Sequence, residues 1–279
     1  MWKKWFGIWA VAMMIVSTLA IVGCKKENGC SKENECKKEN ECKKETGKDD
    51  GKAEKLFQAG MRCVKEKNFT EAMKHFREAA ENGHALAQYM LGVAYYNGGG
   101  GLPKDYKQAV YWYRKAAEQG DAPAQFDLGW CYYKGYGVSK DLEKAVYWFR
   151  KAAEQGHDLA QSILGVCYEH GEGVEKDLKQ AVYWWRKAAE RGNVKAQSIL
   201  GTAYHEGIGG LSKDDKQAVY WWRKAAEQGE AMAQHNLGVA YYNGEGGLPK
   251  DYKQAVYWYR KAAEQGFEPA KQALKKLGR

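Results

Sequence analysis

Residues 160–192 read AQSILGVCYEHGEGVEKDLKQAVYWWRKAAERG, and close copies of this segment recur along most of the chain. Each copy ends in Ala-Ala-Glu-x-Gly, and the closing glycines are 37, 36, 36, 37 and 37 residues apart. These glycines are Gly83, Gly120, Gly156, Gly192, Gly229 and Gly266. Such a period is typical of units that cannot bury their apolar faces alone and therefore stack on their neighbours. The repeat favours a binding surface over a catalytic pocket.

Each copy contains two apolar patterns with helical spacing. In one copy the first pattern includes Leu91 and Tyr95, and the second includes Trp112 and Ala116. A glycine-rich linker separates the two patterns, and the closing glycine is a typical helix stop. Each unit is therefore predicted to be a helical hairpin. Gly92 and its copies lie inside the first helix at a cost of about 1 kcal/mol relative to alanine, so we expect a neighbouring helix to approach closely there.

Two further expectations concern packing. The tryptophan of each second helix is expected to fill the space between successive hairpins; these residues are Trp112, Trp148, Trp184, Trp221 and Trp258. Cys131 and Cys167 replace alanines of other copies and are expected to be small core residues. The pair Arg114–Lys115 and its copies are expected to form a solvated helix face that complements the helix dipole.

The repeat pattern closely resembles a known family. Ala-x-x-x-Leu-Gly-x-x-Tyr, the linker Gly-x-Gly-Val-x-x-Asp and the closing Ala-Ala-Glu-x-Gly resemble the Sel1-like repeat, a longer-looped relative of the tetratricopeptide repeat. The resemblance covers five units in residues 84–266 and implies an all-α, right-handed α-solenoid of stacked helical hairpins. Residues 53–83 follow the shorter tetratricopeptide spacing without the extended linker, and residues 267–279 are expected to form a C-terminal capping helix.

The first helix of each unit varies at a defined set of positions, whereas the second helix hardly varies. In tetratricopeptide-like solenoids these positions line a concave groove, so the resemblance implies that they bind a protein or peptide. The candidate residues are Tyr89, Tyr96, Phe126, Trp130, Tyr133, Glu169, His170, His205, His235 and Tyr242. Trp130 stands where other units have valine or threonine, and aromatic residues are favoured interface anchors. The alternative is that Trp130 fills a local gap.

Histidines and carboxylates from adjacent units raise the question of a metal site. His170 and Glu169 belong to one unit, and His205 and Glu206 belong to the next. A metal site needs convergent ligands supported by further hydrogen bonds, and histidines on a helix surface are more often solvated. We therefore predict no metal site in this region.

Signatures of catalysis are absent from the sequence. The glycine run at residues 98–101 is not followed by Gly-Lys-Ser/Thr, and the motif His-Glu-x-x-His does not occur. Some relatives of the resembled family have been described as binding or cleaving β-lactams, but no serine in this chain has the Ser-x-x-Lys spacing of such enzymes. The sequence predicts a protein that is not an enzyme and holds no cofactor.

The N-terminus has the pattern of a secretory signal. Lys3 and Lys4 precede an apolar run at residues 5–22, which ends at Gly23 and Cys24. This junction resembles a bacterial lipobox, which implies a signal peptide over residues 1–23 and a lipid on Cys24. In a cell with two membranes the resemblance implies the outer one, facing the periplasm; otherwise it implies the outer face of the single membrane. An uncleaved transmembrane anchor is the alternative.

Residues 24–52 are predicted to be a tether. They contain a hexapeptide repeat close to Lys-Lys-Glu-Asn-x-Cys, and they are too charged to bury an apolar core. Cys30, Cys36 and Cys42 follow Cys24 at six-residue intervals, which match no common zinc spacing. These cysteines either form disulfides, including disulfides with another molecule, or were carried along when a short repeat expanded.

The formal net charge of +9 is spread over a long chain, and no nucleic-acid-binding motif accompanies it, so nucleic-acid binding is not expected. Together these features predict a membrane-anchored scaffold or adaptor of the bacterial cell envelope. Its partners would be a protein or peptide in the groove and the membrane through the lipid. The alternatives are an exported host-interaction factor and a binder or enzyme directed at the cell wall or at β-lactams.

Overall fold

The computed structural model describes residues 50–278. The chain divides into two compact units, residues 1–140 and 141–279. The helices of the first unit are α1 (Asp50–Lys65), α2 (Phe69–Glu81), α3 (Ala85–Asn97), α4 (Tyr106–Glu118) and α5 (Ala122–Lys134). Those of the second unit are α6 (Leu142–Glu154), α7 (Asp158–His170), α8 (Leu178–Glu190), α9 (Val194–Glu206), α10 (Asp215–Glu227), α11 (Ala231–Asn243), α12 (Tyr252–Glu264) and α13 (Glu268–Lys276).

Residues 50–278 contain helices and no strand, as the repeat predicts. The complete hairpins within one unit are α1–α2, α3–α4, α7–α8, α9–α10 and α11–α12, and we call their members first and second helices. The helices α5 and α6 have the sequences of a first and a second helix respectively. Helix α1 begins at Asp50, inside the segment predicted as tether. The proposed signal peptide, Cys24 and the other tether cysteines lie outside the described residues.

In each complete hairpin the glycine inside the first helix marks a close approach, which confirms the expectation from the sequence. A Cβ atom built on Gly201 would lie 2.5 Å from Cδ1 of Trp222 in the second helix of the same hairpin. Gly238 meets Tyr259 in the same way, at 2.7 Å. The first helix therefore provides a notch, and an aromatic ring of the second helix fills it.

The neighbouring tryptophan of the second helix packs in the other direction, toward the preceding hairpin. Trp221 belongs to the buried cluster that contains Ala181, Trp185 and Leu200, and Trp258 packs against the next cluster along the chain. The prediction that these tryptophans join successive hairpins is confirmed for both residues. Two adjacent aromatic residues therefore have distinct roles, one within a hairpin and one between hairpins.

Repeated aspartates cap the starts of the second helices, and repeated glycines allow the turns at the helix ends and in the linkers. The Asp177 carboxylate accepts hydrogen bonds from the backbone amides of Lys179 and Gln180, at 2.9 and 3.1 Å, and so caps the start of α8. Gly192 follows this helix with φ of 96°, a conformation that glycine adopts without strain. In the preceding linker Gly173 packs against the Leu142 carbonyl, where a side chain would not fit.

Several arginines of the second helices make a hydrogen bond that the sequence analysis did not anticipate. The Arg114 guanidinium donates a hydrogen bond to the Tyr132 hydroxyl at 2.8 Å, joining α4 to the next first helix. The same bond joins Arg77 to Tyr95, Arg150 to Tyr168 and Arg186 to Tyr204. Arg114 is exposed, as expected of a solvated face, and its hydrogen bond to Tyr132 is an additional contact, because a tyrosine hydroxyl of the following hairpin lies within its reach.

Buried glutamines add a second polar link between hairpins. Gln197 donates to the Ala189 carbonyl at 3.1 Å and accepts a hydrogen bond from Gln228 at 2.8 Å. Gln88 and Gln234 accept equivalent bonds from Gln119 and Gln265. In the copy where Arg191 stands in place of the donor glutamine, the Oε1 atom of Gln161 is buried without a hydrogen-bond partner.

Restoring this missing donor is expected to stabilise the protein. The substitution Arg191→Gln supplies the amide that Gln161 Oε1 lacks, and one such bond contributes about 1 kcal/mol. The melting temperature followed by circular dichroism should therefore rise. The reciprocal substitution Gln228→Arg removes an equivalent bond and should lower it. Equal losses from both substitutions would contradict this interpretation.

Candidate functional site

The ten candidate residues all lie on first helices, but they fall in two separate units. The five aromatic residues on α3 and α5 are in the first unit. The other five, on α7, α9 and α11, are in the second unit. Each group is therefore a surface of its own unit.

Trp130 and Tyr133 form a stacked pair at the surface of α5. Their ring centroids are 5.6 Å apart with an interplanar angle of 19°, and both side chains are partly exposed. The Lys134 ammonium lies 4.8 Å from the Trp130 ring and 5.1 Å from the Tyr133 ring, and Lys140 approaches Tyr133 at 6.0 Å. This arrangement presents an aromatic platform with two lysine ammonium groups lying over its rings.

Tyr96 belongs to a second aromatic cluster in the same unit. Its ring meets Tyr106 edge-on at 5.2 Å, and Tyr106 stacks on Tyr136 at 4.8 Å with an angle of 9°. Lys104 lies 4.7 Å from the Tyr106 ring. The sequence analysis missed Tyr106, at the start of α4, and Tyr136, in the linker that follows α5. For Tyr136 the available signal was an aromatic residue between two linker glycines, where other linkers carry other residues.

Tyr89 lies deeper than the other candidates. Its side chain is 8% exposed, and its ring is 5.9 Å from that of Tyr113. Burial, together with the carboxylates of Asp127 and Asp121, raises the pKa of Tyr89 well above its ordinary value. Tyr89 therefore supports the surface from below, whereas Phe126 on the next first helix is partly exposed.

Asp127 is a site residue that the sequence analysis missed. It occupies a slot that holds Met90, Ile163, Ile199 and Asn236 in other repeats. Burial raises the pKa of its carboxyl group to about 7; a hydrogen bond with Tyr89 acts in the opposite direction, and the charge of Asp121 adds to the rise. The visible signal was an acid in a slot that is apolar in three of the other four units with this pattern.

In the second unit the histidines at the ends of α7 and α9 pair with carboxylates. His170 Nε2 lies 3.5 Å from Oε2 of its neighbour Glu169, and 57% of the His170 side chain is exposed. His205 Nδ1 lies 2.7 Å from Oδ1 of Asp215 on α10, and its ring is 5.4 Å from Trp222. Each imidazole therefore has its own carboxylate partner.

His235 and Tyr242 complete the second group, on α11. The His235 ring lies 5.5 Å from both Tyr259 and Phe267, and its Nδ1 atom is 3.2 Å from Oδ1 of Asn236. Tyr242 meets Tyr252 edge-on at 5.1 Å. This part of the surface combines rings with hydrogen-bonding groups.

Within residues 50–278 the candidate residues form surfaces and do not gather around a metal site. No three histidine, cysteine, aspartate or glutamate side chains in this range are gathered closely enough to hold a metal ion. None of the helices in this range has the length and apolar content required to cross a bilayer. Cys131 and Cys167 are buried and unpaired, as predicted for small core residues, and burial raises the pKa of each thiol to about 12.

The position of Asp127 predicts a specific pH dependence of stability. Because its pKa in the folded protein, about 7, exceeds the ordinary value of 3.8, the folded state binds more protons between these values and stability falls as pH rises through them. Asp127→Asn should remove this slope and stabilise the protein at about pH 8 by up to about 4 kcal/mol.

Urea unfolding at about pH 5 and pH 8 measures this effect. Glu81→Gln, which removes an exposed acid from the same unit, is the matched control and should keep the slope of the wild type. The interpretation fails if Asp127→Asn also keeps that slope.

Comparison with known proteins identifies the family. The model described as Sel1 repeat matches residues 55–84, 85–121, 122–157, 158–193, 194–230 and 231–267. The resemblance therefore extends one hairpin further than the five units expected, since residues 55–84 match as well. No curated protein matches the chain.

Two solved structures are similar. One is a protective antigen present in uropathogenic Escherichia coli strains, with an SLR fold: it is 42% identical, the match covers 79% of this chain and 47% of that chain, and the TM-score is 0.73. This chain thus spans about half the length of that structure. The other is a Sel1 repeat protein from Oxalobacter formigenes, 39% identical over 77% of this chain and 84% of that chain, with a TM-score of 0.69.

These similarities confirm the predicted all-α repeat solenoid. The family model matches most of the chain, and the Oxalobacter formigenes protein supports the match along the same region. This chain therefore belongs to the Sel1 repeat family.

Proposed function

We propose that this chain is a membrane-anchored interaction scaffold of the bacterial cell envelope that binds a partner protein or peptide on its first helices. Sel1 repeat proteins are generally protein–protein interaction scaffolds. The observation that carries the proposal is Trp130, a partly exposed tryptophan in a slot that holds valine or threonine in the other repeats. Packing does not require so large a ring there, and exposed tryptophans are favoured binding anchors.

The contacts around Trp130 indicate what the partner offers. The stacked rings favour an apolar or aromatic side chain, and the ammonium groups of Lys134 and Lys140 over these rings favour a carboxylate beside it. The paired imidazoles and carboxylates of the second unit, at His170 and His205, favour polar contacts. We expect the surface of the first unit to bind a segment with apolar and acidic side chains, and the surface of the second unit, taken by itself, to favour polar groups.

The proposed activity is binding without catalysis. The Sel1 repeat family is generally a non-enzymatic scaffold. His170 and His205 are each paired with a carboxylate, of Glu169 and Asp215 respectively, instead of converging with a nucleophile. Such pairs suit hydrogen bonding to a partner better than acid–base chemistry on a small substrate.

The proposed location rests on the sequence at residues 3–24. The basic start, the apolar run and the Gly23–Cys24 junction support export and attachment of a lipid to Cys24. In a cell with two membranes the protein would face the periplasm from the outer membrane. A stable anchor of this kind would hold the scaffold at the membrane through residues 25–49.

A second candidate is an exported host-interaction factor. The similar structure from Escherichia coli is a protective antigen present in uropathogenic strains. This description belongs to that protein, but it favours a role outside the cell as the second possibility for this chain. The two candidates differ in where the partner is found, and both use the same first-helix surface.

The aromatic platform is expected to dominate partner binding. The partner is isolated from native envelope with the wild-type chain and identified by mass spectrometry, and its affinity is then measured by calorimetry. Trp130→Ala combined with Tyr133→Ala should weaken binding by about thirtyfold or more, because anchor residues contribute about 2 kcal/mol or more. Tyr111→Ala, at an exposed tyrosine on α4, is the matched control and should bind as the wild type does. Equal affinity of the double variant would exclude this surface.

The lipid anchor has a separate test. Cys24→Ala should abolish labelling with palmitate and processing that is sensitive to globomycin, because the acylated sulfur is removed. Cys30→Ala, at the next cysteine of the tether, should leave both unchanged. Palmitate labelling that persists in Cys24→Ala would contradict the anchor without affecting the proposal for Trp130.

A further inference from the structure

The second helices of the second unit carry a row of exposed tyrosines. Each tyrosine occupies the same position of its helix and is between 47% and 52% exposed. These residues are Tyr147, Tyr183, Tyr220 and Tyr257. Each ring makes an edge-on contact with the tryptophan that follows it on the same helix, at 5.0 Å. Half of each ring therefore faces solvent, where burial of apolar surface would be favourable.

A lysine accompanies each of these rings. The ammonium groups of Lys187, Lys224 and Lys261 lie 5.5, 4.6 and 5.0 Å from the rings of the tyrosines four residues earlier. A second lysine lies four residues before each of the same tyrosines, which places it on the same side of the helix. The three triplets are Lys179–Tyr183–Lys187, Lys216–Tyr220–Lys224 and Lys253–Tyr257–Lys261, and we call them the Lys–Tyr face.

The two layers of the second unit differ in charge. The second helices α6, α8, α10 and α12 contain twelve lysines and arginines against six aspartates and glutamates. The first helices α7, α9 and α11 contain one lysine against three acids. The Lys–Tyr face therefore attracts anions, whereas the layer that carries the candidate partner residues does not.

We propose that the Lys–Tyr face of α8, α10 and α12 lies against an anionic lipid surface. Tyrosine has an apolar body and a polar hydroxyl, and it is enriched at the boundary between headgroups and acyl chains. Lysine places its apolar stem beside such a ring and its ammonium among the headgroups, and anionic headgroups attract it. Repetition of the triplet over three helices supplies a broad surface instead of a pocket for one side chain.

This inference goes beyond the proposed function, since it concerns the orientation of the second unit at the membrane. A scaffold tethered near a bilayer meets that bilayer at a high effective concentration, so weak contacts suffice to orient it. Contact through the second helices leaves the first helices, with His170 and His205, accessible to a partner. The proposal itself depends only on the Lys–Tyr face and not on how the chain is anchored.

Footprinting of the full chain tests the proposal. The chain is reconstituted into phosphatidylcholine vesicles with or without about 25% phosphatidylglycerol, and hydroxyl-radical oxidation is mapped by mass spectrometry. On anionic vesicles, oxidation of Tyr183, Tyr220 and Tyr257 should fall by about threefold or more. Tyr252, which is 51% exposed on another side of α12, is the internal control and should not change. About 0.5 M NaCl should restore oxidation by screening the lysines.

Matched variants separate the Lys–Tyr face from total charge. Lys187→Gln, Lys224→Gln and Lys261→Gln together should abolish the protection of the three tyrosines. Lys176→Gln, Lys213→Gln and Lys250→Gln together remove the same charge from exposed linkers of the same repeats and should preserve the protection.

Several results would overturn the proposal. These are unchanged oxidation on anionic vesicles, equal protection of Tyr252, and equal protection on vesicles without phosphatidylglycerol. Protection by heparin without lipid would assign the Lys–Tyr face to a soluble polyanion. Protection that increases with protein concentration without lipid would assign it to a second copy of the chain. None of these outcomes affects partner binding through Trp130, which is measured separately.

Discussion

In the complete hairpins described within either unit, an aromatic ring of the second helix fills a notch left by a glycine in the first. Gly201 and Trp222 show the geometry: a single Cβ atom on the glycine would lie 2.5 Å from the ring. Protein interiors are close-packed, so one additional methyl group is enough to destabilise the fold. The ring replaces the contacts that a larger first-helix side chain would make, and it offsets the cost of about 1 kcal/mol for glycine in a helix. The hairpin is the unit that this contact creates.

This constraint also determines which residues are free to acquire a function. The residue after the notch glycine is turned about 100° around the helix, and Trp130 occupies that position without being needed for the notch. Tyr133 follows three residues later and lies on the same side. On the second helix, the ring in the notch and the tryptophan between hairpins use the inward positions, which leaves Tyr183 and its copies outward. The scaffold therefore separates a variable first-helix surface from an unvarying, basic second-helix surface.

The sequence predicted the hairpins, the glycine notches and the tryptophan contacts because these features depend on spacing within about forty residues, and spacing is visible in a repeat. The sequence predicted which helix carries each candidate residue, but it did not predict the burial of Tyr89. A small rotation of the helix about its axis decides whether such a side chain faces solvent or the next layer. The Arg114–Tyr132 bond and the unpartnered oxygen of Gln161 depend on side chains meeting across hairpins. Asp127 was visible as an exception, but its raised pKa required the burial that only the structure supplies.

The notch is tested most directly by a double-mutant cycle between Gly201 and Trp222, with stability measured by urea unfolding. Gly201→Ala should cost about 2 kcal/mol in the wild type, because the added methyl group overpacks the ring. In a Trp222→Leu background the same substitution should cost nothing or stabilise by up to about 1 kcal/mol, because the ring is gone and alanine is the better helix former. An equal cost of Gly201→Ala in both backgrounds would show that ring and glycine are not coupled, and would contradict the account of how these hairpins are built.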